Sequence, residues 1–333
     1  MQYTWFRVAL CLAGLLNYAL GFSVPRSRAC KPVNDRPIIG ILTQLNETDN
    51  SHEFIAGSYV KFVEAAGARA VPIRCTASKK ELTTLFHSIN GVLIPGGGAN
   101  LSLGHHFYDT AKVMFDLAIE SNRNGTVFPI WGICLGFEAL SILGAGDNTT
   151  VLTASGGFDS IDYPTTVTLT QKVEKSELLK FMPNKTLDAM QTQKTTYNWH
   201  EFGVTKDVFL GNKKLSRFFD ILGTSVDKNG KQFIAMLEAR NLPIYATQFH
   251  PEKSLFEWWG PSHIPHEPAA ISLAAYFANF FVDKARCNSN RFKGGFKKAC
   301  ESVIQKSCDR HLVHPEEHLA EVYEWDVPRD MSL

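Results

Sequence analysis

The sequence predicts an α/β fold with a mostly parallel central sheet and helices on both faces. Short apolar, β-branched runs alternate with amphipathic stretches of helical spacing through the first half of the chain. Strands separated by helices pair in parallel, joined by right-handed crossovers that cover both faces. Two of these runs also end in glycines, GVLIPGGG and IWGICLG. Those ends are where open α/β sheets hold ligands.

Taken in order, RPIIGILTQ (36–44) reads as a buried strand. AGSYVKFVEAAGA (56–68) is a helix with Tyr59, Phe62, Val63 and Ala66 on one face, stopped by Gly67. RAVPIR (69–74) is the second strand, and Cys75 at its end reads as a core thiol. KKELTTLFHSI (79–89) is helical, GVLIPGGG (91–98) is the third strand, and FYDTAKVMFDLAIESN (107–122) is a long amphipathic helix. VFPIWGI (127–133) is the fourth strand. From about 150 to 240 the texture changes. TTVTLTQ (165–171), FFDILGTSVD (218–227) and KQFIAMLEA (231–239) read as strands, with DKNG (227–230) as a hairpin turn. LPIYATQFHPE (242–252) is a last strand, and EPAAISLAAYFANFFVDKA (267–285) is a closing helix. No internal repeat or long linker divides the chain. One domain over 36–286 is expected, after a flank at 22–35 and before a polar tail at 287–333 that gives little fold signal.

Bulk properties narrow the function. The 333 residues carry 34 basic and 33 acidic side chains, so no electrostatic footprint for nucleic acid is present. Residues 1–21 place Arg7 before the apolar run Val8–Leu16 and end in Ala19-Leu20-Gly21. That is the pattern of a secretory signal peptide, too short to span a bilayer, so the mature chain is expected to have no membrane span. Five N-x-Ser/Thr sequons follow, at Asn46, Asn100, Asn124, Asn148 and Asn184, and are expected to be glycosylated at the surface. The chain ends Arg329-Asp-Met-Ser-Leu without a retention signal, so lysosome or extracellular space is expected. Cys30, Cys287, Cys300 and Cys308 have polar, loop-like flanks that suit disulfides in such a compartment, with connectivity left open. Cys134 has no obvious partner.

The candidate site lies in three stretches, each ending a strand. In GICLG, Gly132 and Gly136 permit a sharp strand-to-helix turn that would hold the Cys134 thiol above the sheet. The helix N-terminus beyond it is expected to lower the thiol pKa. The same pattern also fits a structural thiol. In QFHPE, a simple strand would point His250 and Glu252 to one face, so that the carboxylate fixes the imidazole as a base. In PGGG, side-chain-free residues would let backbone N–H groups reach a reacting carbonyl, with the N–H of Leu135 as a second donor. His105 and His106 read as loop residues, near enough to PGGG for substrate contact, and His263 and His266 after Trp258-Trp259 are candidates for the cleft rim. HLVHPEEH (311–318) has metal-like histidine spacing, but Pro315 interrupts any helix, and no metal is expected.

The order PGGG, G-x-C-x-G, H-P-E on one α/β sheet resembles the class I glutamine amidotransferases. RPIIGILTQ, SYVKFVEAAGARAVPIR, INGVLIPGG, WGICLGFEALS, and QFHPEK followed by FEWW resemble most closely their gamma-glutamyl hydrolase branch. The likeness covers residues 36–285. It implies a flavodoxin-like three-layer sandwich, Cys134 as nucleophile, His250 as acid/base and Glu252 as its orienting carboxylate. It also implies substrate-binding roles for Glu138 and His200, beside Gly97, Gly98 and Leu135 at the oxyanion, and a homodimer. The substrate it implies is folate poly-gamma-glutamate, cleaved without cofactor. No synthase module or phosphate loop is present to use ammonia. A hydrolase of another gamma-glutamyl or amide substrate, and an inactive binding protein on the same fold, are the alternatives.

Overall fold

Strands that are apolar along their whole length need cover on both faces, and the computed structural model has that arrangement. It describes residues 30–46, 50–313 and 319–327; the leader at 1–21 and His314 and His318 lie outside them. Strand β1 (Ile38–Leu42) runs into the short β2 (Gln44–Leu45), and β3 (His52–Ala56) leads straight into helix α1 (Gly57–Ala65). Then follow β4 (Arg69–Ile73), α2 (Lys79–Phe86), β5 (Gly91–Ile94), α3 (His106–Arg123), β6 (Ile130–Ile133) and α4 (Leu135–Gly144). The middle of the chain holds β7 (Ser160–Thr165), β8 (Thr168–Leu169), α5 (Asn184–Thr192), β9 (Thr196–His200), α6 (Lys206–Gly211) and α7 (Lys213–Phe218). Next are β10 (Phe219–Val226), β11 (Gln232–Ala239), β12 (Ile244–Thr247), α8 (Pro251–Phe256) and α9 (Pro268–Ala285). Helices α10 (Gly295–Ser302) and α11 (Ile304–Ser307) precede a last hairpin, β13 (Arg310–Val313) and β14 (Glu321–Asp326).

The main sheet has eight strands in the order β4-β1-β5-β6-β12-β11-β10-β8. The first five pair in parallel and the last three add antiparallel. Alternate residues feed opposite faces. Ile39, Ile41, Leu93, Trp131 and Ile133 pack with Phe62 of α1 and Phe277 and Phe281 of α9. Leu42, Val92, Ile94 and Ile130 pack with Phe86 of α2, Met114 of α3 and Leu140 of α4. The sandwich expected from the sequence is present, and DKNG is a turn between β10 and β11, with Gly230 at φ 79°.

Three readings of the sequence need correction. TTVTLTQ is not one strand: β7 stops at Thr165, Val167 N–H turns to the Met190 carbonyl, and only Thr168–Leu169 joins the sheet edge. QFHPE is not the end of a strand, because β12 stops at Thr247 and Pro251 opens helix α8. The residues from Cys287 onward, which carried little fold signal, pack on the domain. Cys287 closes a disulfide with Cys30, and β14 pairs antiparallel with β3, burying Tyr323 and Trp325. In EVYEWD the neighbours Val322 and Tyr323 are both apolar and Glu321 is buried beside them, so the strict alternation that marks a half-buried strand is broken. Among the described residues Cys75, Cys300 and Cys308 are free thiols, so the last two do not form the disulfides that their polar flanks suit.

Candidate active site

Between β6 and α4 there is a single residue, Cys134, at φ 52° and ψ −105°. A side chain at such a positive φ is strained, and the neighbours hold it there. Cys134 N–H donates to the Thr247 carbonyl at 2.8 Å, and its carbonyl accepts from Glu138 N–H at 3.0 Å. The flanking glycines are required for close approach. A Cβ on Gly132 would fall 2.4 Å from the Gly136 carbonyl oxygen, and one on Gly136 would fall 2.0 Å from that of Ile94.

His250 caps α8, with its N–H on the Tyr197 carbonyl at 2.8 Å. The first turn of the helix brings Glu252 Oε1 to 2.8 Å from His250 Nδ1, both residues buried. The pairing expected from the sequence is present, but helical winding makes it, not strand alternation. A carboxylate oxygen accepts, so Nδ1 carries a proton and Nε2 of the neutral ring is left to act as a base.

Gly96 lies where Cys134 and His250 converge. A Cβ there would be 2.7 Å from His250 Cε1 and 3.1 Å from Cys134 Cβ. Both its backbone groups are held by side chains that no motif marked. Its N–H donates to Tyr59 Oη at 2.9 Å, and its carbonyl accepts from Gln44 Nε2 at 2.8 Å. Tyr59 Oη also sits 3.4 Å from His250 Nδ1. Burial, then the charges of Glu252 and Cys134, push the Tyr59 hydroxyl well above its ordinary pKa, so it stays a donor. Tyr59 was legible only as an apolar helix position. The one signal available for Gln44, and for Gln248 beyond β12, is a polar residue closing an apolar run.

Gly97, Gly98, Asn100, Cys134, Leu135, Glu138, Trp199, His200 and Phe202 line one cleft of about 500 Å³. Its lining, among the described residues, includes no Lys or Arg. Glu138 Oε1 accepts from Gln248 Nε2 at 3.0 Å. Burial raises the Glu138 pKa to about 7, against the pull of that amide. His200 Nδ1 is 2.7 Å from the Phe202 carbonyl, which can only accept, so the proton sits on Nδ1. Among the described residues its buried Nε2 has no hydrogen-bond partner. Burial lowers the His200 pKa to about 4, so the ring is neutral above that pH.

The thiol differs from expectation. Burial first, then the negative charges of Glu138 and Glu252, push Cys134 well above the ordinary cysteine pKa. The Leu135 N–H and Lys253 pull the other way and do not win. The helix N-terminus therefore does not leave a resting thiolate; the group at rest is a thiol 3.6 Å from the Trp199 carbonyl.

The peripheral candidates divide. His105 and His106 start α3 outside the cleft lining. His263 is exposed and pairs with Asp162 at 2.7 Å, and His266 packs on the exposed Trp258. Trp259 meets Trp199 edge-on at 5.6 Å, and so backs the cleft wall. Asn100, Asn124 and Asn184 are exposed, whereas Asn46 and Asn148 are half-buried.

A family model described as peptidase C26 matches residues 37–252. Mouse gamma-glutamyl hydrolase is 42% identical over 302 residues, 89% of this chain and 92% of the mouse protein. The rat protein of the same name is 41% identical, over 90% of this chain and 91% of its own. The human one is 38% identical, over 90% of this chain and 92% of its own. The matched span begins at the first strand of the sheet and ends on the carboxylate that holds His250, and on that ground the chain belongs to the peptidase C26 family.

Proposed function

We propose that the protein hydrolyses gamma-glutamyl amide bonds with Cys134 as nucleophile, and that its substrates are folate poly-gamma-glutamates. The observation that carries this is the convergence of Cys134 and the His250–Glu252 pair on Gly96. His250 Nε2 takes the thiol proton as sulfur bonds to the gamma-carbonyl carbon. This order suits a thiol that burial keeps protonated at rest. The carbonyl oxygen, now an oxyanion, is met by the N–H groups of Gly97 and Leu135. His250 gives its proton to the departing alpha-nitrogen of the next glutamate, the C–N bond breaks, and a thioester remains. Water, deprotonated by His250, attacks the thioester and releases the thiol. Glu138 and neutral His200 line the pocket that receives the glutamyl portion, and Trp199 and Phe202 offer apolar cover for a ring-bearing portion. The leader pattern and sequons support a glycosylated protein of lysosome or extracellular space, and the family resemblance supports a homodimer. Among the described residues no helix is long and apolar enough to cross a membrane.

The test is a chromatographic time course on folate pentaglutamate and on free glutamine, with Cys134→Ala as control. Glutamate or gamma-linked glutamate peptides should appear from the first substrate and little ammonia from the second. Remote binding energy is available only to the larger molecule. Cys134→Ala should lose all turnover while keeping its melting temperature. Comparable ammonia release from glutamine would overturn the substrate reading, and activity of Cys134→Ala within tenfold of wild type would overturn the nucleophile.

A further inference from the structure

We infer that Gln44 is a positioning residue for the oxyanion hole: its side-chain amide fixes the plane of the Gly96–Gly97 peptide. This rests on the hydrolase reading above. The Gly96 carbonyl and the Gly97 N–H belong to one peptide unit, which is planar and trans, so they point in opposite directions. Gln44 Nε2 holds that carbonyl at 2.8 Å. The Gly97 N–H is thereby turned away from Gln44, and Gly97 borders the cleft beside Cys134 and Leu135. Tyr59 fixes the preceding peptide through the Gly96 N–H, so the loop is clamped at two successive planes. Packing reinforces the clamp. A Cβ on Gly97 would lie 1.7 Å from Gln44 Oε1 and 2.4 Å from Nε2, so the amide occupies the space that any side chain at 97 would need. Gln44 itself is buried at 5% exposure. Its backbone belongs to β2, which pairs with Phe54 of β3, and the preceding Thr43 is tied by its hydroxyl to buried Glu53. The amide is held by one layer of the protein and acts on a loop from another. A donor that is aimed before reaction costs no reorganisation at the transition state.

The experiment uses the full chain and compares Gln44→Leu and Gln44→Glu with wild type. Gln44→Leu keeps the bulk and removes the donor. Its kcat on a folate polyglutamate should fall about 10- to 100-fold, with KM changed by less than about threefold, because the hole is used only when the oxyanion forms. Affinity for a gamma-aldehyde analogue of the glutamyl substrate, which forms a tetrahedral adduct on sulfur, should fall in parallel. The rate at which iodoacetamide alkylates Cys134 should stay within about twofold, since that reaction has no oxyanion. Gln44→Glu can still donate to the Gly96 carbonyl when protonated. Its kcat relative to wild type should therefore be highest at pH 5 and decline towards pH 8, a trend that a purely structural role would not produce. A Gln44→Leu variant with wild-type kcat, or one whose alkylation slows as much as its turnover, would overturn the inference. So would a Gln44→Glu ratio that is flat with pH, which decides the matter if Gln44→Leu does not fold. A wild type that cleaves no gamma-glutamyl amide would instead overturn the hydrolase reading beneath it.

Discussion

Glu138 is more comfortable in the folded protein as an acid than as a carboxylate, and this makes a stability prediction with a definite sign. Its pKa rises from 4.5 to about 7 because the folded site is dry. Below pH 4.5 it is protonated in both states and contributes nothing. Between pH 4.5 and 7 the unfolded chain gives up the proton first, so stability falls as pH rises, by up to about 3 kcal/mol. Glu138→Gln removes the ionisation and leaves a neutral amide facing Gln248. The variant should melt higher than wild type at pH 8 and at nearly the same temperature at pH 4.5, as scanning calorimetry would show. An equal difference at both pH values would mean that folding leaves the Glu138 pKa unshifted. His200 works in the opposite sense. Its pKa falls from 6.5 to about 4, so its contribution is complete above pH 6.5 and is lost as pH drops towards 4. In an NMR titration of the folded protein, the His200 ring should not protonate between pH 7 and 5. A midpoint near 6.5 would show that the ring is wetter than its burial between Phe158 and Phe233 allows.

The turn that carries Cys134 stores strain, and two substitutions read it. Cys134→Ala and Cys134→Gly both remove the thiol, but only glycine is at ease at φ 52° and ψ −105°. The glycine variant should be at least as stable as the alanine variant, by about 1 kcal/mol if the relief of strain exceeds the entropy of the unfolded chain. In an ordinary helix start the order would be reversed, and urea melts of the pair distinguish the two. This element was legible because its chemistry and its geometry need the same residues: glycines at 132 and 136 are forced by backbone contacts of 2.4 and 2.0 Å. Strand β9 was not legible, although it carries His200. Its sequence TYNWH buries Asn198 and His200 among aromatic neighbours, and polar residues inside a strand erase the alternation on which sequence reading depends. Strand β3 fails for the same reason, with Glu53 fully buried at its second position. Gln44 and Tyr59 were hidden differently. Each looks like an ordinary strand or helix residue, and only the tertiary fold brings both onto Gly96.

At the scale of the whole molecule, segments far apart in sequence are tied together around the sheet. Residues 30 and 287 are joined by a disulfide that spans nearly the entire domain, while β14 lies against β3. Trp325, at 3% exposure, donates its indole N–H to the Ser307 carbonyl at 2.8 Å and lies under the Arg74 guanidinium at 5.9 Å. Arg74 reaches on to Glu53 at 3.0 Å and donates to the Asp326 carbonyl at 2.9 Å. Glu53 in turn accepts from the Cys75 N–H at 3.0 Å and from the hydroxyls of Thr43 and Thr76. Thr43 is the residue before Gln44, so a contiguous line of packed and hydrogen-bonded groups runs from the last strand to the Gly96 loop. Such a line is a route for coupling only if disturbing its far end changes the near one. Trp325→Ala should cost about 3–5 kcal/mol, as large-to-small changes in a core do. The second consequence is the informative one: well below the new melting temperature, kcat should still be reduced, while Cys134 alkylation keeps its wild-type rate. Arg74→Lys, which keeps the charge but not the planar fork, should show a smaller loss of the same kind. If Trp325→Ala melts early yet turns over normally in its folded range, the hairpin supports stability alone and the line stops at Glu53.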